Sequence, residues 1–224
     1  MSRHPLKIRF IDGQHETRCL NITRPCILEG FTMRNGVGDG YGGGIHIEST
    51  PVYCSTVDYY HVPTVKNCNI ENNRANNILT GVGGGIYDTG SNTRFENCTF
   101  QGNTAGEGGG VCHDRSSTIF EKCIFRENQA TDVGGGAVAG YYSNEDTGGF
   151  IKIINCLFLD NESSDRGGAI RYHQLSPRIW NSTFFGNNAA LSGGAFYSTY
   201  WLKGPRVRNS IFWGNSPDQN WNAD

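Results

Sequence analysis

Two short stretches decide the fold: Cys98-Thr-Phe100-Gln-Gly-Asn103 and, just after it, Gly108-Gly-Gly-Val111. The first is one copy of a motif in which Cys or Ser is followed two residues later by Phe or Ile and five residues later by Asn. Six copies keep this spacing, at residues 68–73, 98–103, 123–128, 156–161, 182–187 and 210–215. Repetition of this kind is the sequence signature of a solenoid, in which each repeat stacks on the next.

The second motif, Gly-Gly-(Gly or Ala)-apolar, alternates with the first. Its copies begin at Gly42, Gly83, Gly108, Gly134, Gly167 and Gly193, in steps of 41, 25, 26, 33 and 26 residues. The base period is therefore about 25 to 26 residues, and we interpret the long steps as insertions in 48–62 and 141–149. A less regular coil precedes them in residues 26–35.

A period of 25 residues with Gly-Gly in every repeat leaves no room for a pair of packed helices. The apolar residues alternate, as in Cys98 and Phe100, which indicates short strands. Stacked windings would place equivalent side chains about 4.8 Å apart. We predict one inward ladder of apolar residues, formed by Ile70, Phe100, Phe125, Phe158, Phe184 and Phe212. A second inward ladder would hold Cys68, Cys98, Cys123, Cys156, Ser182 and Ser210.

The residue before each ladder Cys or Ser is predicted to form a corner. Asn occupies this place at Asn67, Asn97, Asn155, Asn181 and Asn209, and Lys122 is the exception. Asn tolerates the left-handed conformation better than other residues with a side chain, and the Gly-Gly pair suits a further corner.

The cysteines divide into two groups. Neighbours in a parallel ladder point the same way, which suits disulfide geometry poorly, so we expect the ladder cysteines to be reduced. Cys19, Cys26, Cys54 and Cys112 lie off the ladder and are candidates for pairing, with the connectivity left open.

Composition narrows the classes of function. A net charge of -2 favours neither nucleic acid nor an anionic membrane, and no apolar run is long enough for a transmembrane segment. The chain starts without the apolar stretch of a secretory signal. Taken literally, such a start indicates a cytoplasmic protein; we expect instead that residues 1–224 form one parallel β-helix domain that is a piece of a longer exported chain.

Gly167-Gly-Ala-Ile170, together with the recurring Phe-x-x-Asn, resembles the repeats of polymorphic outer-membrane proteins of the chlamydial type. More broadly, residues 26 to 217 resemble the right-handed parallel β-helix of the pectin-lyase-like superfamily. The resemblance implies an all-β, single-stranded right-handed solenoid of about seven coils, located outside the cell or on its surface. It does not choose a function, because this superfamily includes adhesins, tailspikes, polysaccharide lyases and glycoside hydrolases.

Three candidate sites follow from the predicted stacking. Asp88 and His113 share a position in adjacent coils, with Arg171 nearby, which is a candidate for acid–base catalysis. Aromatic and basic residues near the Gly-Gly strand are candidates for stacking on sugars: His46, Tyr87, Tyr141, Tyr142, Arg171, His173 and Tyr197. Glu107, Asp132 and Asp165 precede the Gly-Gly corner and are candidate calcium ligands.

No catalytic motif of the polygalacturonases or pectate lyases occurs, so no family catalytic residue can be carried over. The leading hypothesis is a non-enzymatic surface module that presents a long face to a polysaccharide or a host surface. The alternatives are a polysaccharide lyase or glycoside hydrolase, and a purely structural stalk.

Overall fold

The computed structural model describes residues 9–48, 52–53, 60–76, 81–141, 151–173, 177–199 and 205–217. These residues form strands and turns, and none of them is helical. The strands build four parallel sheets, in which each strand pairs with its equivalents one winding away, and one small antiparallel hairpin. The predicted all-β parallel solenoid is confirmed. No segment among the described residues forms an apolar helix long enough to span a membrane.

From the second winding onward, each complete winding contributes one strand to each sheet, in a fixed order that we number sheet 1 to sheet 4. In residues 98–122 these strands are Thr99–Gln101, Thr104–Glu107, Val111–Asp114 and Ile119–Glu121. The eight strands of sheet 1 bound seven complete windings, in agreement with the expected number of about seven coils.

Within each sheet the strands stack in the order of the windings. Sheet 1 contains β1 (Arg9–Asp12), β4 (Phe31–Arg34), β10 (Asn69–Glu71), β14 (Thr99–Gln101), β18 (Ile124–Arg126), β22 (Leu157–Leu159), β26 (Thr183–Phe185) and β30 (Ile211–Trp213). Sheet 2 contains β5 (Val37–Asp39), β11 (Arg74–Asn76), β15 (Thr104–Glu107), β19 (Gln129–Gly134), β23 (Glu162–Ser163) and β27 (Asn188–Ala189). Sheet 3 contains β2 (Leu20–Ile22), β6 (Ile45–Glu48), β12 (Ile86–Thr89), β16 (Val111–Asp114), β20 (Val138–Tyr141), β24 (Ile170–His173) and β28 (Phe196–Thr199). Sheet 4 contains β3 (Ile27–Glu29), β9 (Thr64–Lys66), β13 (Arg94–Glu96), β17 (Ile119–Glu121), β21 (Lys152–Ile154), β25 (Arg178–Trp180) and β29 (Arg206–Arg208). The hairpin pairs β7 (Val52–Tyr53) with β8 (Tyr60–His61).

The core is a column of stacked phenylalanine rings beneath sheet 1. From Phe100 through Phe125, Phe158 and Phe184 to Phe212, successive ring centroids lie 4.5, 4.7, 4.4 and 4.6 Å apart. These distances confirm the predicted ladder and its spacing. Rings this close to parallel and removed from water contribute both burial and stacking energy.

The four cysteines of the second predicted ladder are also buried. Cys68, Cys98, Cys123 and Cys156 are buried free thiols, as expected for small apolar side chains in this column. Among the off-ladder cysteines, Cys19, Cys26 and Cys112 are free thiols as well, and Cys54 lies outside the described residues.

The predicted corners have left-handed backbone conformations. The φ angles are 54° at Asn67, 51° at Asn97 and 55° at Lys122, so the corner persists where the sequence lacks Asn. At the Gly-Gly corner, Gly108 has φ 62°, and a Cβ there would lie 2.5 Å from the carbonyl oxygen of Val111. Both kinds of corner are therefore formed mainly by Asn and Gly, which tolerate positive φ. Lys122 tolerates it less well, so its backbone is the more strained.

The Asn that ends each first motif forms a buried amide ladder that was not predicted from the repeats. Asn103 Nδ2 donates to the carbonyl oxygen of Ile70 at 2.8 Å and to Asn128 Oδ1 at 3.0 Å. Asn103 Oδ1 in turn accepts hydrogen bonds from the backbone N–H and the amide of Asn73. The same pattern continues through Asn161, Asn187 and Asn215. Because these amides are satisfied inside the core, the residues link successive windings.

One repeat copy was placed incorrectly from the sequence. Val138 pairs with Val111 and Ile170, so the fourth Gly-Gly copy begins at Gly135 and ends at Val138. The cause is a bulge in sheet 2, where Ala105 pairs with Ala130 but Glu107 pairs with Gly134. The extra residues of β19 shift the following sequence relative to the repeat, and they push residues 131–133 outward.

Candidate functional site

A groove runs along the outer surface where sheet 2 meets sheet 3. Its volume is about 470 Å³, and its walls are formed by Tyr41, Gly81, Val82, Tyr87, Gly106, Glu107, Asp114, Asp132, Val133 and Tyr141. Three tyrosines and three carboxylates are thus brought together from four windings. We call this feature the groove.

The aromatic end of the groove is a small cluster of rings. The Tyr41 and Tyr87 centroids lie 5.0 Å apart, and the His46 ring lies 5.3 Å from Tyr87. Tyr87 and His46 are register partners on the outer side of sheet 3. Burial and nearby Cys112 and Asp114 raise the pKa of Tyr87, so its hydroxyl stays neutral.

Arg18 holds the Tyr41 turn in place. Its Nε donates to the carbonyl oxygen of Gly42 and its Nη2 to that of Tyr41, both at 2.7 Å. Nη1 donates to Asn21 Oδ1 at 2.9 Å. The first two bonds hold the backbone that carries Tyr41 and the third anchors Arg18, although the Tyr41 ring itself is exposed.

The floor of the groove contains a buried ion pair that spans a winding. Arg171 Nη1 lies 2.7 Å from Glu107 Oε1, with the two side chains 13% and 3% exposed. One winding lies between the windings of Glu107 and Arg171. It places Ala139 beside Arg171 in sheet 3 and Gly134 beside Glu107 in sheet 2. A Cβ on Gly134 would lie 2.7 Å from Arg171 Cδ, so the small residue leaves space for the arginine to reach Glu107.

Burial dominates the electrostatics of Glu107. It raises the pKa of this carboxyl to about 7, although Arg171 acts in the opposite direction. The negative charges of Asp132 and Asp165 add to the increase. Glu107 is therefore a groove carboxyl that changes its protonation near neutral pH.

The bulge in β19 places Asp132 and Val133 at the rim. Asp132 is exposed, and its carboxylate has no hydrogen-bond or ion-pair partner among the described residues. Asp114 forms an ion pair with Arg115, Oδ2 to Nη2 at 3.1 Å, on a largely exposed arginine.

The predicted calcium ligands are not arranged as a metal site. Glu107 binds Arg171, whereas the Asp132 carboxylate stands at the rim, without a partner in the described part of the chain. Asp165 affects Glu107 only through its charge. In the part of the chain that the structure describes, no three or more His, Cys, Asp or Glu side chains are positioned to hold a metal ion.

The three predicted catalytic residues do not meet at one surface. Asp88 and His113 are register partners, as expected, but both side chains point inward and are fully buried. Arg171 lies on the opposite, outer side of sheet 3. The predicted grouping of Asp88, His113 and Arg171 is therefore not formed: Asp88 and His113 lie two residues after the inward Ile86 and Val111, and alternation gives them the same inward orientation.

Inside the coil, Asp88 and His113 have separate environments. Asp88 accepts hydrogen bonds from the hydroxyls of Ser91, Thr93 and Thr118. Neither ring nitrogen of His113 has a hydrogen-bond partner among the described residues, and its ring lies 5.5 Å from that of Tyr172. Burial raises the pKa of Asp88 to about 7 and lowers that of His113 to about 3.

The predicted sugar-contacting residues are only partly brought together. Tyr87 and Tyr141 line the groove, and His46 packs beside Tyr87. Tyr197 is buried under Arg166, whose guanidinium carbon lies 5.1 Å from the ring centroid. Arg171 is occupied by Glu107. His173 is half-buried at the last residue of β24 and does not line the groove, and Tyr142 is outside the described residues.

Sequence reasoning missed Tyr41, the most exposed ring of the groove. It directly precedes the first Gly-Gly pair, at a position that Val82 and Glu107 occupy in the next two windings. The sequence contained one indication of this position: Tyr41 and Glu107 each directly precede a Gly-Gly corner, so the stacking of windings brings them to the same side of the solenoid.

The comparisons with known proteins identify the fold family. A family model described as a right-handed β-helix region matches residues 41–218. No curated protein and no solved structure matches the chain significantly. With most of its length matched and its strands stacked in four parallel sheets, the chain belongs to the right-handed β-helix family.

Proposed function

We propose that the protein is a secreted or cell-surface β-helix module that binds carbohydrate in the groove. The observation that carries the proposal is the concave arrangement of Tyr41, Tyr87 and Tyr141 beside Glu107, Asp114 and Asp132. Aromatic faces stack on the apolar faces of sugar rings, and carboxylates accept hydrogen bonds from sugar hydroxyls. A volume of about 470 Å³ lies within the range of small-molecule sites and suits a short oligosaccharide.

The position of the groove supports the same proposal. Tyr141 ends β20, and the segment inserted into the regular repeat follows it directly. Loops that leave one face of a solenoid frequently contribute to its binding surface. The asparagines of the core, in contrast, form hydrogen bonds with one another.

The test compares two exposed aromatic residues. Tyr41, 48% exposed, lines the groove, whereas Phe185, 44% exposed, lies on the outer side of sheet 1. Binding is first sought on a glycan array and then measured by calorimetry for the best oligosaccharide. We expect Tyr41→Ala to weaken binding about tenfold, the equivalent of one lost stacking contact, and Phe185→Ala to leave it unchanged.

Equal effects of the two substitutions would remove the groove as the binding site. Absence of any ligand on the array would support the structural-stalk alternative and overturn the proposal.

A second candidate function is glycoside hydrolysis, favoured by one observation. Glu107 is a groove carboxyl with its pKa raised to about 7, and Asp114 and Asp132 line the same groove. A protonated acid paired with an ionised carboxylate is the arrangement that glycoside hydrolysis requires. Release of reducing ends from a bound oligosaccharide, abolished by Glu107→Gln, would establish this activity; no release would exclude it for that substrate.

A further inference from the structure

The charges of the groove are one-sided. Among the described residues, its lining contains the carboxyl groups of Glu107, Asp114 and Asp132 and no lysine, arginine or histidine. The chain as a whole is close to neutral, with 19 basic and 21 acidic residues, so this local excess is not an average property of the surface. A polyanionic ligand would meet repulsion chiefly from Asp132, because Arg171 and Arg115 balance the charges of Glu107 and Asp114.

The nearby arginines do not supply a compensating free charge. Arg171 is bound to Glu107 beneath the floor, and Arg18 is bound to backbone carbonyls behind Tyr41. Arg115 pairs with Asp114 from the solvent side, and its side chain is 71% exposed. An ion pair of such exposure is weak, so a ligand cation can replace Arg115 at little cost.

Asp132 is the third carboxylate of the groove lining. The bulge of β19 carries it outward beside Glu107, and no described residue forms a hydrogen bond or ion pair with its carboxylate. It faces the same space as the rings of Tyr41, Tyr87 and Tyr141. Tyrosine faces attract cations through the negative potential of the ring, so rings and carboxylates favour the same kind of charge.

We propose that the groove selects carbohydrates that carry protonated amino groups, such as oligomers of glucosamine, over neutral or acidic ones. The inference rests on the proposed function, because it specifies the class of sugar that the same groove takes. An amino group of the bound oligomer would lie beside Asp132, and another sugar of the same oligomer would stack on Tyr41, three windings away. This ligand class is opposite in charge to the uronic-acid polymers that are substrates of pectate lyases and polygalacturonases.

The experiment uses three hexasaccharides of similar length and different charge: glucosamine, N-acetylglucosamine and galacturonate. Affinities are measured by calorimetry at about pH 6 in roughly 20 and 200 mM NaCl. We expect the glucosamine hexamer to bind about tenfold more tightly than the acetylated one, and the galacturonate hexamer to bind least. Salt should weaken the glucosamine complex selectively, since an exposed ion pair is screened.

Two matched variants locate the effect. Asp132→Asn should weaken glucosamine binding about tenfold and change binding of the acetylated hexamer less than about twofold. Asp160→Asn is the control, because Asp160 has φ 52° that Asn tolerates and lies outside the groove lining. It should change neither affinity.

Two failures can be told apart. If the glucosamine and acetylated hexamers bind equally, or galacturonate binds best, and Tyr41→Ala still weakens binding, the charge selectivity is wrong and carbohydrate binding stands. If none of the three hexamers binds and the glycan array shows no ligand, both proposals fail.

Discussion

Arg171 reaches across an intervening winding to pair with Glu107, Nη1 to Oε1 at 2.7 Å, beneath the floor of the groove. The intervening winding contributes only the small residues Gly134 and Ala139 at the positions that the arginine passes. The pair thus joins sheet 3 of one winding to sheet 2 of another, two windings away, and it fixes the carboxylate that lines the groove.

Removing one partner of this pair should be costly. Arg171→Ala leaves Glu107 buried without a cation, and we expect the free energy of unfolding to fall by about 3 kcal/mol at about pH 8. The loss should be smaller at about pH 6, where Glu107, with its pKa raised to about 7, binds a proton instead. Urea denaturation at both pH values measures this.

The control is Arg94→Ala. Arg94 pairs with Glu121 at the same distance, 2.7 Å, but with side chains 41% and 28% exposed. Its removal should cost less than about 1 kcal/mol at either pH. Equal losses for the two arginines would show that burial does not strengthen the Arg171 pair.

Gly134→Ala should disturb the Arg171–Glu107 pair, because the added methyl group would collide with the Arg171 side chain. The added Cβ would lie 2.1 Å from the carbonyl oxygen of Arg166 and 2.7 Å from Arg171 Cδ, at φ 137°. We expect a loss of about 2 to 3 kcal/mol in unfolding free energy, of which about 1 kcal/mol disappears when Arg171 is already Ala. Gly30→Ala is the control for backbone strain alone, since Gly30 has φ 73° and no atom within 4 Å of its added Cβ. Strictly additive effects of Gly134→Ala and Arg171→Ala would contradict the proposed contact.

The two buried groups of sheet 3 should give opposite pH dependences. The pKa of His113 is lowered in the folded protein from 6.5 to about 3, so its contribution is present above pH 6.5 and is lost as pH falls toward 3. The pKa of Asp88 is raised from 3.8 to about 7, so its contribution is present below pH 3.8 and is lost as pH rises toward 7. Between about pH 4.5 and 7 the two slopes oppose each other.

Single substitutions should separate these slopes. In Asp88→Asn only the pH dependence caused by His113 remains. We therefore expect the free energy of unfolding of this variant to rise by about 2 to 3 kcal/mol, relative to that of the wild type, as pH rises from about 4.5 to 7. In His113→Leu the Asp88 slope remains, and the change should have the opposite sign. Urea midpoints across this range provide the measurement, and parallel profiles for both variants would refute the assignment.

Lys122 is the corner residue that the repeat would replace by Asn. Its φ of 55° matches those of the Asn corners, but Lys adopts this conformation less readily. We expect Lys122→Asn to raise the free energy of unfolding by about 0.5 to 1 kcal/mol. The reciprocal change, Asn97→Lys at φ 51° in the preceding winding, should lower it by a similar amount. A thermal shift of the same sign in both variants would show that the corner conformation is not the cause.

The repeats were sufficient to predict the solenoid, the phenylalanine column and the corners, because each depends on residues at fixed spacing. Lys122 differs from the Asn of the other corners in residue type, but its backbone has the same left-handed conformation. The strands of the windings before and after it pair with β17 and hold that corner in place. The groove was only partly predictable. The β19 bulge that carries Asp132 outward interrupts the repeat, and the Arg171–Glu107 pair joins residues 64 apart in sequence.

The orientation of Asp88 and His113 could have been predicted from alternation with the inward Ile86 and Val111. Polar side chains usually face solvent, but the alternation of side chains along the strand places these two in the core. Polar residues of this kind are tolerated inside because Asp88 is satisfied by three hydroxyls and because Gly140 leaves room for the His113 ring.

The buried asparagines have a consequence for how such a chain can change in length. Each amide donates to a carbonyl of the winding before it and to the amide oxygen of the winding after it, so the upper face of every winding is complementary to the lower face of any other. A duplicate of residues 98–122 spliced in at Lys122 would find the same partners on both sides. Evolution or engineering can therefore extend this architecture in whole turns, and a second groove wall could be introduced without redesigning the core.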